Sequence, residues 1–278
     1  MADVLAYPPG RKPGVKVDKP SRIMDRCNSL RSAPGFEVIP EEYWEKACLS
    51  EWHNKNREDR FRYTLDQNGK GSCAAESATG IKAALDTKQG LPEVLYNPWS
   101  VYWYTSGGSD RGSVIGDNVE YLRDKGVCPE EVWPRSKGWR TEPSEEAKKI
   151  ALQMRIVEFF YIENITELIS ALLQGFDVHG GYSGHAIAFC RYLGNGNLRY
   201  KNSWGESWGE KGFGSLSVGK VYFPYGAYAY KNVHPFDWRP EMDQKQLATL
   251  VNNYMAARMD NPRASYEKIV CQHYTPRT

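Results

Sequence analysis

The sequence predicts an α+β fold of two lobes with a cleft between them. Three observations carry that expectation. Small and apolar residues at helical spacing fill the first half of the chain. Strand patterns with turn signals fill the second half. The residues best suited to nucleophilic chemistry are divided between the two halves. Helices followed by antiparallel strands are the order seen in α+β domains, with the two segregated into lobes. A chain of 278 residues fits one large domain or two lobes packed as one unit.

The elements follow in order. Between Tyr7 and Pro40 the chain is rich in Pro, Gly, Lys and Arg, and Pro8-Pro9-Gly10 and Lys12-Pro13-Gly14 read as extended chain. Residues 1–38 are therefore expected to be an arm draped over the surface that leaves the cleft open; a short occluding segment is the other reading. From Ser72 the pattern turns helical. Ala74, Ala75, Ala78, Ile81, Ala84 and Leu85 recur at three- and four-residue spacing, and Gly90 stops the run. Cys73 thus stands on the first turn of a largely buried helix, where unpaired amides and the helix dipole favour a thiolate. Further helices are expected over Asp117 to Lys125, stopped by Gly126, and over Ser144 to Met154. Asn164-Ile165-Thr166-Glu167 reads as a capping box opening a short helix to Gln174, stopped by Gly175. Strands then dominate. Ala186 to Tyr192 and Leu198 to Asn202 flank Gly194-Asn195-Gly196-Asn197, a hairpin turn and not a phosphate loop, since neither a helix nor a Lys-Ser/Thr pair follows. In the tail, 233–278, Leu247, Leu250, Val251, Tyr254, Met255 and Met259 form one apolar helical face that ends near Pro262. It reads as a helix packed on the domain, or as a docking face for a partner or a second copy.

The net charge of +2 and the absence of a basic block interleaved with aromatics give no reason to expect nucleic acid. No apolar stretch is long enough to span a bilayer, and the first residues lack a basic segment followed by an apolar run. The six cysteines are scattered with no Cys-x-x-Cys pair, so neither a zinc site nor any other metal or cofactor is expected. They read as mostly reduced, in a protein made for a cytoplasm or packed into a particle.

The residues that carry chemistry are Gln67, Cys73, His185 and Asn202, in that order. A thiol becomes a nucleophile as its thiolate, and an imidazole beside it supplies that state. An Asn side-chain oxygen can set the imidazole tautomer by accepting its other N–H. Gln67 can offer its amide to an oxyanion. Each has a plainer reading: a buried structural thiol, a satisfied core histidine, a turn residue. His179, six residues before His185, is the competing base but lacks the flanking Gly184 and Ala186 that leave room for close approach.

From Ile39 to Tyr230 the chain resembles the papain-like cysteine peptidases. The most specific piece is Asn202-Ser203-Trp204-Gly205 followed by Trp208-Gly209-Glu210-Lys211-Gly212-Phe213. Gln67 ahead of Gly71-Ser72-Cys73, and Gly184-His185-Ala186-Ile187 opening an apolar strand, are the second and third. Weaker support comes from Asn97-Pro98-Trp99-Ser100, Gly107-Gly108, and the turn from Gly126 to Pro134 with Glu130 and Trp133.

The resemblance implies a helical lobe and an antiparallel β-barrel-like lobe with the active-site cleft between them, over 39–232. It implies a cysteine-type endopeptidase in which Cys73 attacks, His185 exchanges protons, Asn202 orients His185 and Gln67 assists the oxyanion. Trp204 would shield the Asn–His contact. Gly107 and Gly108 would bind substrate backbone, unless they form an ordinary loop, and Trp208 would line the cleft, unless it only packs. The partner would be a peptide or protein substrate, with no nucleic acid and no membrane.

The sequence departs from the family in four respects. Ala74, Ala75 and Glu76 follow the Cys where the family places Trp and a further aromatic. Lys70 stands where secreted members carry a disulfide Cys. The stretch from Gln174 to His185 is short, and the family's helical propeptide pattern is absent. Two other readings stand beside the peptidase: a noncatalytic structural or docking protein that keeps the fold, as in a phage particle or bacterial assembly, and acyl transfer to an amine, which would place an acid where Asn202 stands.

Overall fold

The structure is a computed structural model that describes residues 7–11, 13–49 and 57–231. The expected C-terminal helix over 233–278 lies outside the described residues.

Helices come first. α1 (Pro20–Asp25) and α2 (Trp44–Cys48) are short. The long helix α3 (Cys73–Lys88) begins and ends where the spacing predicted. Gly90, at φ +70, takes the chain out of the helix in a conformation that L side chains rarely adopt. α3 buries polar residues as well as its alanines. The Lys82 Nζ donates to Asp86 Oδ2 at 2.6 Å, and the Tyr96 hydroxyl donates to the same oxygen at 2.7 Å. Breaking a buried pair of this kind by removing one partner typically costs about 3–5 kcal/mol.

α4 (Trp99–Thr105) escaped the sequence reading because its aromatic run has no clear apolar stripe. α5 (Ile115–Asp124) packs on α3 and α4. α6 (Glu145–Ala151) is capped by the Ser144 hydroxyl, which accepts from the Ala147 N–H at 3.2 Å. α7 (Ile165–Leu173) opens with the expected cap. Asn164 Oδ1 accepts from the Glu167 N–H at 3.0 Å, and Glu167 reaches back to the Glu163 N–H at 2.9 Å.

Two short strands, β1 (Val15–Lys16) and β2 (Ser113–Val114), pair in parallel. The main sheet contains β3 (Glu158–Tyr161), β4 (Val178–Tyr182), β5 (His185–Gly194), β6 (Asn197–Lys201), β7 (Phe213–Ser217) and β8 (Tyr228–Lys231). Its spatial order is β3-β8-β4-β5-β6-β7, with every pair antiparallel. The β5–β6 hairpin turns at Asn195 and Gly196, both at positive φ, as the Gly-Asn-Gly-Asn signal requires.

The expected barrel-like lobe is an open six-stranded sheet. Register shifts in β5 after Phe189 and Tyr192 bend it locally. The edge strands β3 and β7 are not hydrogen-bonded to each other, so no closed barrel forms among the described residues.

One large core cluster joins Ile187 and Phe189 of β5, Leu198 and Tyr200 of β6, and Leu168, Ile169 and Leu172 of α7. α3 packs on β5 as well. The Ser77 hydroxyl lies 2.8 Å from Cys73 O and 2.9 Å from Ala186 O. The start of β5 is thereby held against the first turn of α3, and that is the place where His185 and Cys73 stand. No helix among the described residues is long and apolar enough to cross a membrane.

Candidate active site

Cys73 is the first residue of α3 and is fully buried. Its Sγ accepts from the Ala186 N–H at 3.5 Å. Burial pushes the thiol up to about 12, against the pull of the Ala186, Ala74 and Gly14 amides, and the Glu76 charge adds to the rise. In this arrangement Cys73 is a neutral thiol, and the thiolate expected at the helix start is suppressed by desolvation.

His185 opens β5 and is 1% exposed. Its Nε2 lies 2.7 Å from Asn202 Oδ1. The Ser203 backbone N–H donates to the same Oδ1 at 2.7 Å. An atom that accepts from a backbone amide is the amide oxygen, so this contact fixes the Asn202 flip and makes His185 Nε2 a donor. The lone pair is left on Nδ1, which is buried without a hydrogen-bond partner. That is the nitrogen available for proton exchange. Burial lowers the imidazole to about 4, against the Asn202 contact that raises it, and the Arg11 charge lowers it further. Trp204 stacks on the His185 ring, with centroids 4.6 Å apart and planes at 30°, where the sequence reading put a shield for the Asn–His contact.

Gln67 is fully buried, and its backbone N–H donates to Ser203 O at 3.0 Å. Its Oε1 accepts twice, from the Ser203 hydroxyl at 3.0 Å and from the Trp204 indole N–H at 3.1 Å. Two donors on one atom orient the amide, so its Nε2 is turned the other way, onto Lys70 O at 2.5 Å. The part played by Ser203 and by the Trp204 N–H was missed from the sequence, where Trp204 read only as a cover.

The other predicted residues fall elsewhere. Gly107 and Gly108 are exposed, with nothing within 4 Å of an added Cβ. Backbone pairing occurs a few residues on, at Ser113, beside Gly112, which packs against Gly14. Trp208 is half-buried and meets Trp204 edge to face at 5.4 Å. His179 sits on β4 with its Nδ1 on the Tyr230 hydroxyl, and burial lowers it to about 3. It belongs to the core.

The arm does not leave the cleft open. Gly14 is buried between Gly71 and Gly112. A Cβ on Gly14 would lie 2.4 Å from Gly71 O, and one on Gly112 would lie 2.0 Å from Gly14 O. The Gly14 and Val15 N–H groups donate to Gly184 O at 3.1 and 3.2 Å, and the Ser113 N–H donates to Gly14 O at 2.9 Å. Tyr7 covers His185 and Trp204, with ring centroids 6.0 and 5.3 Å away, and its hydroxyl donates to Ser183 O at 3.0 Å. Arg11 pairs with Asp66. The driving contacts are backbone on backbone between distant segments, which leave no periodic mark in the sequence. Among the described residues Cys27, Cys73, Cys128 and Cys190 are free thiols.

Several solved structures share this architecture. Xylellain, a cysteine protease from Xylella fastidiosa, superposes with a TM-score of 0.53 at 20% identity, over 80% of this chain and 92% of that one. The fold is papain-like. The Amb a 11 cysteine protease, a major ragweed pollen allergen, in its proform, matches at a TM-score of 0.53 and 18% identity over 64% of each chain. Digestive procathepsin L 3 of the Tenebrio molitor larval midgut matches at 0.52 and 15% over 74% of this chain and 76% of that one. No protein-family profile and no curated protein sequence matches the chain. At these identities the papain-like likeness speaks for the fold alone, and the chemistry has to be argued from the site.

Proposed function

We propose that this chain is a cysteine-type endopeptidase held closed by its own N-terminal arm. The observation that carries the reading is the His185–Asn202 contact beside Cys73. It gives the imidazole a defined tautomer with a free, buried Nδ1, on the residue directly before Ala186, whose N–H donates to Cys73 Sγ at 3.5 Å. A core histidine has no need of an acceptor flipped and locked by a neighbouring backbone amide.

With the arm displaced, His185 Nδ1 takes the Cys73 proton. The sulfur attacks the substrate carbonyl carbon, and the C=O π electrons move to oxygen. Gln67 Nε2 and the Cys73 backbone N–H stabilise that oxyanion, for which Gln67 exchanges its Lys70 O contact. The carbonyl re-forms, the C–N bond breaks, and imidazolium gives its proton to the leaving amine. Water, deprotonated by His185, then attacks the thioester and releases the acid and the thiol.

The arm supports a peptide as the occupant of this cleft, because it lies there as extended backbone. Its own bonds are presented wrongly for attack. The Gly14 N–H points to Gly184 O on the thiol side, so the Pro13 carbonyl of that trans peptide faces the opposite way. The Gly14 carbonyl is held by the Ser113 N–H. The arm is thus an occupant that is not consumed.

The test is labelling of the full chain with a peptidyl vinyl sulfone, with and without Gly14→Val, which forces a side chain into the backbone of Gly71. Slow labelling of the parent and rapid labelling of the variant at Cys73, with hydrolysis of a peptide mixture, is the expected result. No labelling and no hydrolysis in either protein would leave the noncatalytic docking protein as the better account.

A further inference from the structure

Glu76 stands one turn after Cys73 on α3, and its side chain is fully buried. Oε1 accepts from the Ser72 hydroxyl at 3.1 Å, and Oε2 from Arg135 Nη2 at 3.0 Å. The other terminal nitrogen of the same guanidinium, Nη1, donates to Asp66 O at 2.7 Å. Asp66 is the residue immediately before Gln67. The Arg135 backbone N–H is itself held by Glu130 Oε1 at 2.7 Å, and the guanidinium lies over the Trp99 ring at 5.7 Å. One planar group therefore spans the helix that carries the nucleophile and the loop that carries the oxyanion donor.

We propose that Glu76 and Arg135 are a positioning pair that sets Gln67 relative to Cys73 and thereby builds the oxyanion hole. The inference rests on the peptidase reading above. Neither residue touches the reacting atoms. A buried ion pair is a poor device for stability, since well-packed apolar residues of similar volume often serve as well or better. Arg135 supplies what such residues lack: a rigid fork that fixes two acceptors at a set separation, which a lysine point charge does not reproduce. Displacing a catalytic donor by about 1 Å can cost on the order of a hundredfold in rate. The geometry of the fork is thus worth more to turnover than to folding.

The decisive variant is the double Glu76→Met, Arg135→Met, made in the full chain carrying Gly14→Val, with Arg135→Lys beside it. Removing both charges together leaves no orphaned ion at Glu76. Glu130 loses the Arg135 Nε 3.7 Å from its Oε2 but is 26% exposed and keeps the backbone N–H of residue 135 on Oε1, so the melting temperature should stay close to that of the Gly14→Val parent. The double variant should lose about ten- to a hundredfold in kcat, with KM within about twofold. Arg135→Lys should fall between the two. Alkylation of Cys73 by iodoacetamide should not fall, because displacement at its methylene carbon forms no oxyanion and loss of the Glu76 charge favours the thiolate. A double variant that keeps both its melting temperature and its kcat overturns the proposal, as does a fall in alkylation that parallels kcat, or a change in KM alone. Absence of hydrolysis in the Gly14→Val parent is a different failure: it removes the peptidase reading, and the pair's positioning role with it.

Discussion

Arg11, on the arm, grips the carboxylate of Asp66, which directly precedes the oxyanion-donor candidate Gln67. Arg11 Nη2 donates to Asp66 Oδ2 at 2.8 Å and Nη1 to Oδ1. Arg11 Nη2 also reaches Trp204 O at 3.3 Å. Burial alone would raise the Asp66 carboxyl, but the Arg11 hydrogen bond, the Asn68 N–H and the charges of Arg11 and Arg135 hold it below its ordinary value. One residue therefore ties the covering segment to the loop it covers.

Arg11→Ala should loosen the arm and raise peptide hydrolysis by the full chain severalfold. The pair is partly exposed, with Asp66 35% accessible, so salt should screen it. Raising the ionic strength from about 0.05 to about 1 M, near where the screening length falls to ~3 Å, should therefore activate the parent more than the variant. A fluorogenic peptide assay across that range checks this. A parent rate indifferent to both salt and substitution would mean that the arm is held by its backbone contacts alone.

Acid should open the site. In the covered state burial lowers His185 from 6.5 to about 4, whereas an imidazole returned to solvent recovers its ordinary value. Between these values the covered state binds fewer protons than the open one. Closure is then at full strength above about pH 6.5 and is lost as the pH falls toward 4. At pH 5 the linkage shifts the closed-to-open ratio by roughly thirtyfold. Cys73 acts at the other end. Its thiol, raised by burial from 9.0 to about 12, keeps its proton in the covered state, so closure weakens as the pH rises above about 9. The ratio of vinyl sulfone labelling rates, Gly14→Val over parent, should approach one as the pH drops from about 7 to about 5. A constant ratio would mean that His185 does not feel the arm.

Cys73→Ala should abolish hydrolysis and labelling while the far-ultraviolet dichroism and melting profile stay close to those of the parent. Asn202→Ala should leave the nucleophile present but the His185 tautomer unset, lowering kcat by about ten- to a hundredfold, within the range that general acid–base catalysis contributes. Residual hydrolysis by Cys73→Ala at the parent rate would assign the activity to another group.

Gln67→Ala should lower kcat by on the order of a hundredfold, with little change in KM, since the oxyanion exists only near the transition state. Trp204→Phe keeps an aromatic ring against His185 but deletes the indole N–H that orients Gln67 Oε1. It should lower kcat less than Gln67→Ala does. An unchanged kcat in Trp204→Phe would mean that the stack on His185, and not the Gln67 contact, is what Trp204 supplies.

Much of the site was legible because its signals are local. A 3.6-residue spacing places Cys73 at the head of α3, and a hairpin turn brings Asn202, just past the end of β6, back beside His185 at the start of β5. The seat of the arm shows the converse case. A Gly-Gly pair such as Gly107-Gly108 looks like a backbone-binding edge in sequence, but only the path of the loop decides which residues meet another chain segment, and Gly112 and Ser113 are the ones that meet Gly14.

By itself the sequence determined the order Gln67, Cys73, His185, Asn202, the helices and hairpin that carry them, and the expected papain-like architecture. All of these follow from short-range spacing and residue chemistry. The tertiary structure alone decided that the arm lies across the cleft, that Cys73 and His185 are both driven toward neutrality beneath it, and that Glu76 is answered by Arg135. Each depends on partners from separate segments of the chain, meeting through backbone amides or single charged groups. Such contacts have no period to read, and their energies are set by the burial that folding creates.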